Sequence, residues 1–144
     1  IHYHDYESAP IIETKHIMLF ELSKKIAHKI SAELNITPKE FVRIKSNTIF
    51  NDPACTADKF NIPHKDYPDD DIISIVYYVD TVDGDTVVFE DFNKENKTLG
   101  EPTRYKPIQG SAIAFKSNMY HASSNPVKHP RRTIINIAFR YEEN

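Results

Sequence analysis

Apolar positions recur every fourth residue near the start of the chain, where Met18, Leu22, Ile26, Ile30 and Leu34 are interleaved with Lys24, Lys25, His28, Lys29 and Glu33. That spacing predicts one amphipathic helix over residues 13 to 34, closed by Asn35 and Pro38. Thr37-Pro38-Lys39-Glu40 has the form of a capping box with proline at the first helical position, which predicts a further short helical turn. Beyond it the pattern turns β-like. Val42, Ile44, Thr48, Ile49 and Phe50 form a β-rich run, and Ile72 to Val79 is strand-like at every position. Turns at Asp83-Gly84-Asp85 and at Pro107 to Gly110 precede Thr86 to Phe89 and Ser111 to Phe115, and Arg132 to Tyr141 is the last strand. One helix followed by about eight short strands predicts a mainly β protein with a flanking α-helix, a double-stranded β-helix or jelly roll. A single domain over 1–144 is expected, helical over about 1–40 and β over about 41–142.

Composition narrows the classes. The 144 residues are 40% hydrophobic and 27% charged, as expected of a globular chain. The net charge of -3 comes without a basic stripe, which disfavours nucleic acid as a partner. No run approaches the ~20 apolar residues of a membrane span. A lone cysteine, Cys55, leaves no internal disulfide and no cysteine-based zinc site, compatible with a reducing cytoplasm.

The candidate chemistry begins at His64-Lys65-Asp66. Residues two apart on an extended backbone point to the same side, so His64 and Asp66 can grip one ion together. Alone, the spacing is a weak signal. It gains weight from His121 in Tyr120-His121-Ala122, and from Arg132 opening a β-branched strand eleven residues later. Two imidazoles and one carboxylate on a β scaffold suit ferrous iron with three positions left open. A zinc hydrolase can use the same ligands, but no His-Glu-x-x-His helix supplies its base. Arg131 and Arg132 compete to face inward, and Arg132 is favoured because Ile134 and Asn136 share its face.

His64-Lys65-Asp66, Tyr77-Tyr78-Val79-Asp80, Gly84-Asp85-Thr86, Pro107-x-x-Gly110, Phe115, His121 and Arg132 together resemble the iron(II)/2-oxoglutarate oxygenases, in their prolyl-4-hydroxylase-like branch. Small phage and bacterial members are the most similar. The likeness runs over residues 42 to 140. It implies that His64, Asp66 and His121 ligate Fe(II) and that Arg132 binds the distal carboxylate of 2-oxoglutarate, a group a guanidinium holds by paired charge-assisted bonds. A tyrosine hydroxyl often shares that carboxylate in the family; Tyr78 aligns better than Tyr77. Asn47 and Asn136 are further candidates for cofactor contact. The implied activity is O₂-dependent hydroxylation of a C–H bond, with a prolyl residue as the candidate substrate and release of succinate and CO₂.

Asp83 stands where the family's hairpin has its first glycine, so a slightly different turn is expected there. A cupin-like binding module without turnover, and a small-molecule hydroxylase or demethylase of the same superfamily, are the competing functions. The partner is a small-molecule, peptide or protein substrate, selected by loops 52–62, 91–104 and 122–130 at the barrel mouth. His2, His4, His16, His28 and His129 are not expected to be ligands, and Pro68-Asp69-Asp70-Asp71 reads as a solvated loop.

Overall fold

The computed structural model describes residues 16–144; the His2–His4 pair and the first residues of the predicted helix lie outside that range. Helix α1 (Ile17–Glu33) is followed by β1 (Ile36–Phe50), β2 (Ile72–Tyr78), β3 (Thr86–Phe89), β4 (Phe92–Asn93), β5 (Thr98–Leu99), β6 (Thr103–Tyr105), β7 (Ala112–Lys116), β8 (Tyr120–Ser123) and β9 (Arg131–Glu143). The strands form an antiparallel major sheet ordered β1-β9-β2-β7 and a minor sheet ordered β6-β3-β8. A single antiparallel bridge, His64 to His121, adds the segment before β2 to the edge of the minor sheet. Along the chain the main strands cross from one sheet to the other: β2 to β3, β6 to β7, β7 to β8, β8 to β9. That alternation makes a double-stranded β-helix, as the strand pattern predicts. A small ribbon, β4 with β5, hangs from it.

Alternation within the major sheet creates two cores. Ile73 and Ile75 of β2 and Ile135, Ile137 and Phe139 of β9 face α1, with Ala27 buried among them. Val76, Tyr78 and Ile134 face the minor sheet and meet Val88 and Phe115. Burial on both faces explains why residues 72 to 79 lack a polar alternation.

Three expectations are corrected. The helix does not bury the row from Met18 to Leu34. It buries Ser23, Ala27 and Ser31, while Met18 is 87% exposed and Leu22 and Leu34 are also exposed. A strict four-residue series turns about 40° per step at 3.6 residues per turn, so only its middle, Ile26 and Ile30, packs on the core. Next, Thr37 to Glu40 is strand, paired with Tyr141, Glu142 and Arg140 of β9. Asn35, at φ 56, ends the helix before any capping box can act. Pro38 is tolerated because β1 is an edge strand with a register irregularity beside it. Finally, residues 91 to 104 are not a plain loop but carry β4, β5 and the start of β6, giving nine strands among the described residues. No helix among the described residues is long and apolar enough to cross a membrane.

Candidate metal centre

The backbone N–H of His64 donates to the carbonyl of His121 and the N–H of His121 returns the bond, both at 2.9 Å. Opposed residues on antiparallel backbone present their side chains on the same side, and the two imidazole centroids lie 4.6 Å apart. Asp66 completes the group: one ligand atom from each of the three residues lies within 4.8 Å of the others. Each ring is oriented from behind. His64 Nδ1 bonds the carbonyl of Ile62 at 3.2 Å, and His121 Nδ1 bonds that of Met119 at 3.1 Å. A carbonyl only accepts, so Nδ1 carries a proton, and it is Nε2 whose lone pair the neutral ring presents to a metal. Both Nε2 atoms face Asp66, at 4.0 Å from Oδ1 for His64 and 3.7 Å from Oδ2 for His121.

Asp66 is fixed more firmly than either histidine. Arg43 Nη2 lies 2.6 Å from Oδ2, and the Ser74 hydroxyl donates to the same oxygen at 3.2 Å. Ser74 is itself tied to Ser117 at 2.7 Å, and the Asp66 N–H donates to the Ser117 carbonyl at 3.1 Å. Burial pushes the Asp66 carboxyl up, but the bond and charge of Arg43, aided by His121 and Ser74, hold it below the ordinary carboxylate value. Burial lowers His121 from the usual imidazole value, against the Met119 carbonyl and the Asp66 charge. A deprotonated carboxylate and neutral imidazoles with free Nε2 are the forms a divalent metal binds. Two nitrogen donors and one oxygen donor on rigid backbone fit Fe(II).

A second pole lies across the barrel interior. Arg132, 2% exposed, donates from Nη2 to Thr86 Oγ1 at 2.5 Å, and the Tyr78 hydroxyl donates to the same oxygen at 2.9 Å. The guanidinium carbon sits 5.8 Å from the centre of the Tyr78 ring. Arg132 Nε is buried without a hydrogen-bond partner, and no carboxylate among the described residues forms an ion pair with this side chain. Arg131 is exposed, as is expected of the alternate position on the strand. Tyr78 is buried between the sheets, whereas Tyr77 packs toward the helix. Burial acts against the charged form of Arg132 and raises the Tyr78 phenol.

Two turn residues hold this pole. Gly84 has φ +97, and a Cβ there would stand 2.9 Å from the Ser124 carbonyl and 3.2 Å from Arg132 Cδ. Gly84→Ala is therefore expected to destabilise the fold by about 2 kcal/mol in urea unfolding. Asp83 explains the departure from a double-glycine hairpin. Its carboxylate accepts the N–H groups of Val127, Lys128 and His129 at 2.6, 2.8 and 3.1 Å and meets His129 Nδ1 at 2.6 Å. It thus clamps the loop that leads into Arg132. Burial raises the Asp83 carboxyl, but these bonds outweigh it and leave it well below the usual carboxylate range. Stabilisation from a depressed carboxylate is complete above the unfolded value, about 3.9, and is lost as pH falls through the folded one. Asp83→Asn is expected to unfold at lower urea than the native chain at pH 7, with the gap closing below about pH 3.

A cavity of about 270 Å³ joins the poles. Its β1 wall is Arg43, Lys45, Asn47, Thr48 and Ile49, and its β9 wall includes Ile134 and Asn136. Asn136 accepts from Arg43 at 3.0 Å. Sequence reasoning singled out neither Arg43 nor Lys45. The available signal was parity, since both share the alternation of Asn47.

No protein-family model matches the sequence, and no curated protein matches it. Among solved structures, a prolyl-4-hydroxylase from Pseudomonas putida aligns over 95% of this chain and 68% of its own, at 18% identity and a TM-score of 0.49. EvdMO1 aligns over 96% of this chain at 15% identity and a TM-score of 0.54, and this chain spans 37% of its length. The EvdMO1 match shows that the arrangement of helix and strands described above is a fold with a solved counterpart.

Proposed function

We propose that this chain is an Fe(II)- and 2-oxoglutarate-dependent oxygenase, of prolyl-4-hydroxylase-like type, that hydroxylates a C–H bond. The observation that carries the reading is Arg132: a buried guanidinium with a free N–H, sharing one cavity with a His-Asp-His group. A buried cation is costly unless an anion meets it. A zinc hydrolase has no need of such a group, and a metal-binding module has none either.

His64, Asp66 and His121 hold the metal. Arg132 receives the distal carboxylate of 2-oxoglutarate through its guanidinium, in the paired geometry that group offers. Thr86 Oγ1 and the Tyr78 ring hold the guanidinium in place, and Tyr78 can turn its hydroxyl to the same carboxylate. Bound there, Fe(II) and 2-oxoglutarate supply the oxidising chemistry: O₂ is consumed, succinate and CO₂ leave, and a substrate C–H becomes C–OH. Val76 and Ile134 give the cavity apolar walls that displace water from the co-substrate chain. A prolyl ring is the first substrate to test.

In the absence of air, Fe(II) and 2-oxoglutarate together are expected to give the protein a visible absorption band that neither gives alone. Admitting O₂ should then yield succinate. A protein that binds the metal but forms neither band nor succinate is a binding module or a hydrolase instead.

A further inference from the structure

Charge does not balance in the loaded cavity. Its lining holds three cationic side chains, Arg43, Lys45 and Arg132, against one carboxylate, Asp66. On the reading above, Arg132 is matched by the distal carboxylate of 2-oxoglutarate. The two charges of the metal are matched by Asp66 and the near carboxylate. Arg43 and Lys45, about 7 Å apart on one face of β1, are left uncompensated. Arg43 still has Asp66 at 2.6 Å and Asn136 at 3.0 Å. The Lys45 ammonium has no hydrogen bond or ion pair among the described residues; the residue stands opposite Asn136 and lines the cavity beside Asn47.

An inward strand face reading Arg-Lys-Asn, set beside Ser74 and Val76 on β2 and Ile134 and Asn136 on β9, puts two cations on the cavity wall, a costly way to build a barrel unless a ligand uses them. We infer that the primary substrate is a small carboxylic acid whose carboxylate is received by Lys45, with Asn47 as the neighbouring polar contact. This inference rests on the oxygenase reading. The cavity of about 270 Å³ must also hold 2-oxoglutarate, so the group that reaches Lys45 inside it is a small one. The ammonium at the wall then fixes which C–H bond faces the metal.

The test uses the full chain loaded with Zn(II), which does not turn over, and saturated with 2-oxoglutarate. Acetate and acetamide, matched in size and differing in charge, are titrated while the backbone amides of β1 are followed by NMR. Acetate is expected to shift Lys45 and Asn47 saturably, binding at least tenfold tighter than acetamide. Lys45→Gln should reduce that preference to within twofold, and Lys45→Arg should restore it. Acetate binding no better than acetamide, or a preference unchanged in Lys45→Gln, overturns the assignment. So does a Lys45→Gln variant that loses 2-oxoglutarate affinity more than acetate affinity, since Lys45 then serves the co-substrate. Failure of 2-oxoglutarate to bind the Zn(II) form at all, measured first by calorimetry, overturns the oxygenase reading and this inference with it.

Discussion

Arg132→Met is expected to weaken 2-oxoglutarate binding by roughly 100-fold or more while leaving the ligand-free protein as stable as the native chain or more so. The two halves have one cause. Truncating one partner of a buried charge pair costs several kcal/mol, and each 1.4 kcal/mol is about tenfold in affinity. In the ligand-free protein that partner is missing. Arg132 is 2% exposed and its Nε has no acceptor, so the fold carries the desolvation of a cation without its compensation. Replacing even a buried ion pair by apolar residues of similar volume is often neutral or stabilising by about 1–4 kcal/mol, and a cation without a counter-ion has less attraction to lose. Thr86 Oγ1 keeps its bond from Tyr78 after the change, so no new orphan is created there. Saturating 2-oxoglutarate should stabilise the native chain, by about 2.7 kcal/mol at 100 times Kd, and leave the variant unmoved. Urea unfolding with and without 2-oxoglutarate reads both effects. A variant that loses stability without ligand would mean that Arg132 is a structural cation, and the carboxylate seat would lose its physical basis.

How much of this was readable in the sequence depends on how local each signal is. The strand at residues 72 to 79 and the one opening at Arg132 were legible because β-branched runs express their own burial. The jelly roll followed from their number and spacing. The helix was legible in its end but not in its facing, since a four-residue repeat rotates off any one side and the sheet took Ser23, Ala27 and Ser31 instead. Thr37 to Glu40 was misread because a local capping signal lost to pairing with residues some hundred positions away. His64, Asp66 and His121 could be named because three residues of metal-ligating type stood in the order of the family the sequence resembles, and the structure brings the three together. Arg43 could not, because its role exists only once β1 lies against β9 and turns it to Asp66. Asp83 was visible as a departure from glycine, but its clamp on residues 127 to 129 is a tertiary fact.

His121→Ala and His64→Ala should both abolish stoichiometric metal binding, yet differ in their effect on folding. Losing an outer hydrogen-bonding partner alone costs a metal site about 10–100-fold; losing one of three donors should exceed that. The side chain of His64 is 58% exposed and touches little that its absence would leave empty. That of His121 is 8% exposed and packs its ring 4.8 Å from Phe115, so alanine there opens a gap in the barrel interior. His121→Ala is therefore expected to cost about 1–2 kcal/mol of ligand-free stability and His64→Ala close to none. The backbone bridge between the two positions survives in either variant, because it uses only main-chain atoms. Dialysis against Fe(II) without air, followed by metal analysis, measures the first effect and urea unfolding the second. One equivalent of tightly held metal in either variant would show that the ion sits elsewhere. Equal stability losses in both would mean that the two rings share one environment, contrary to their burial.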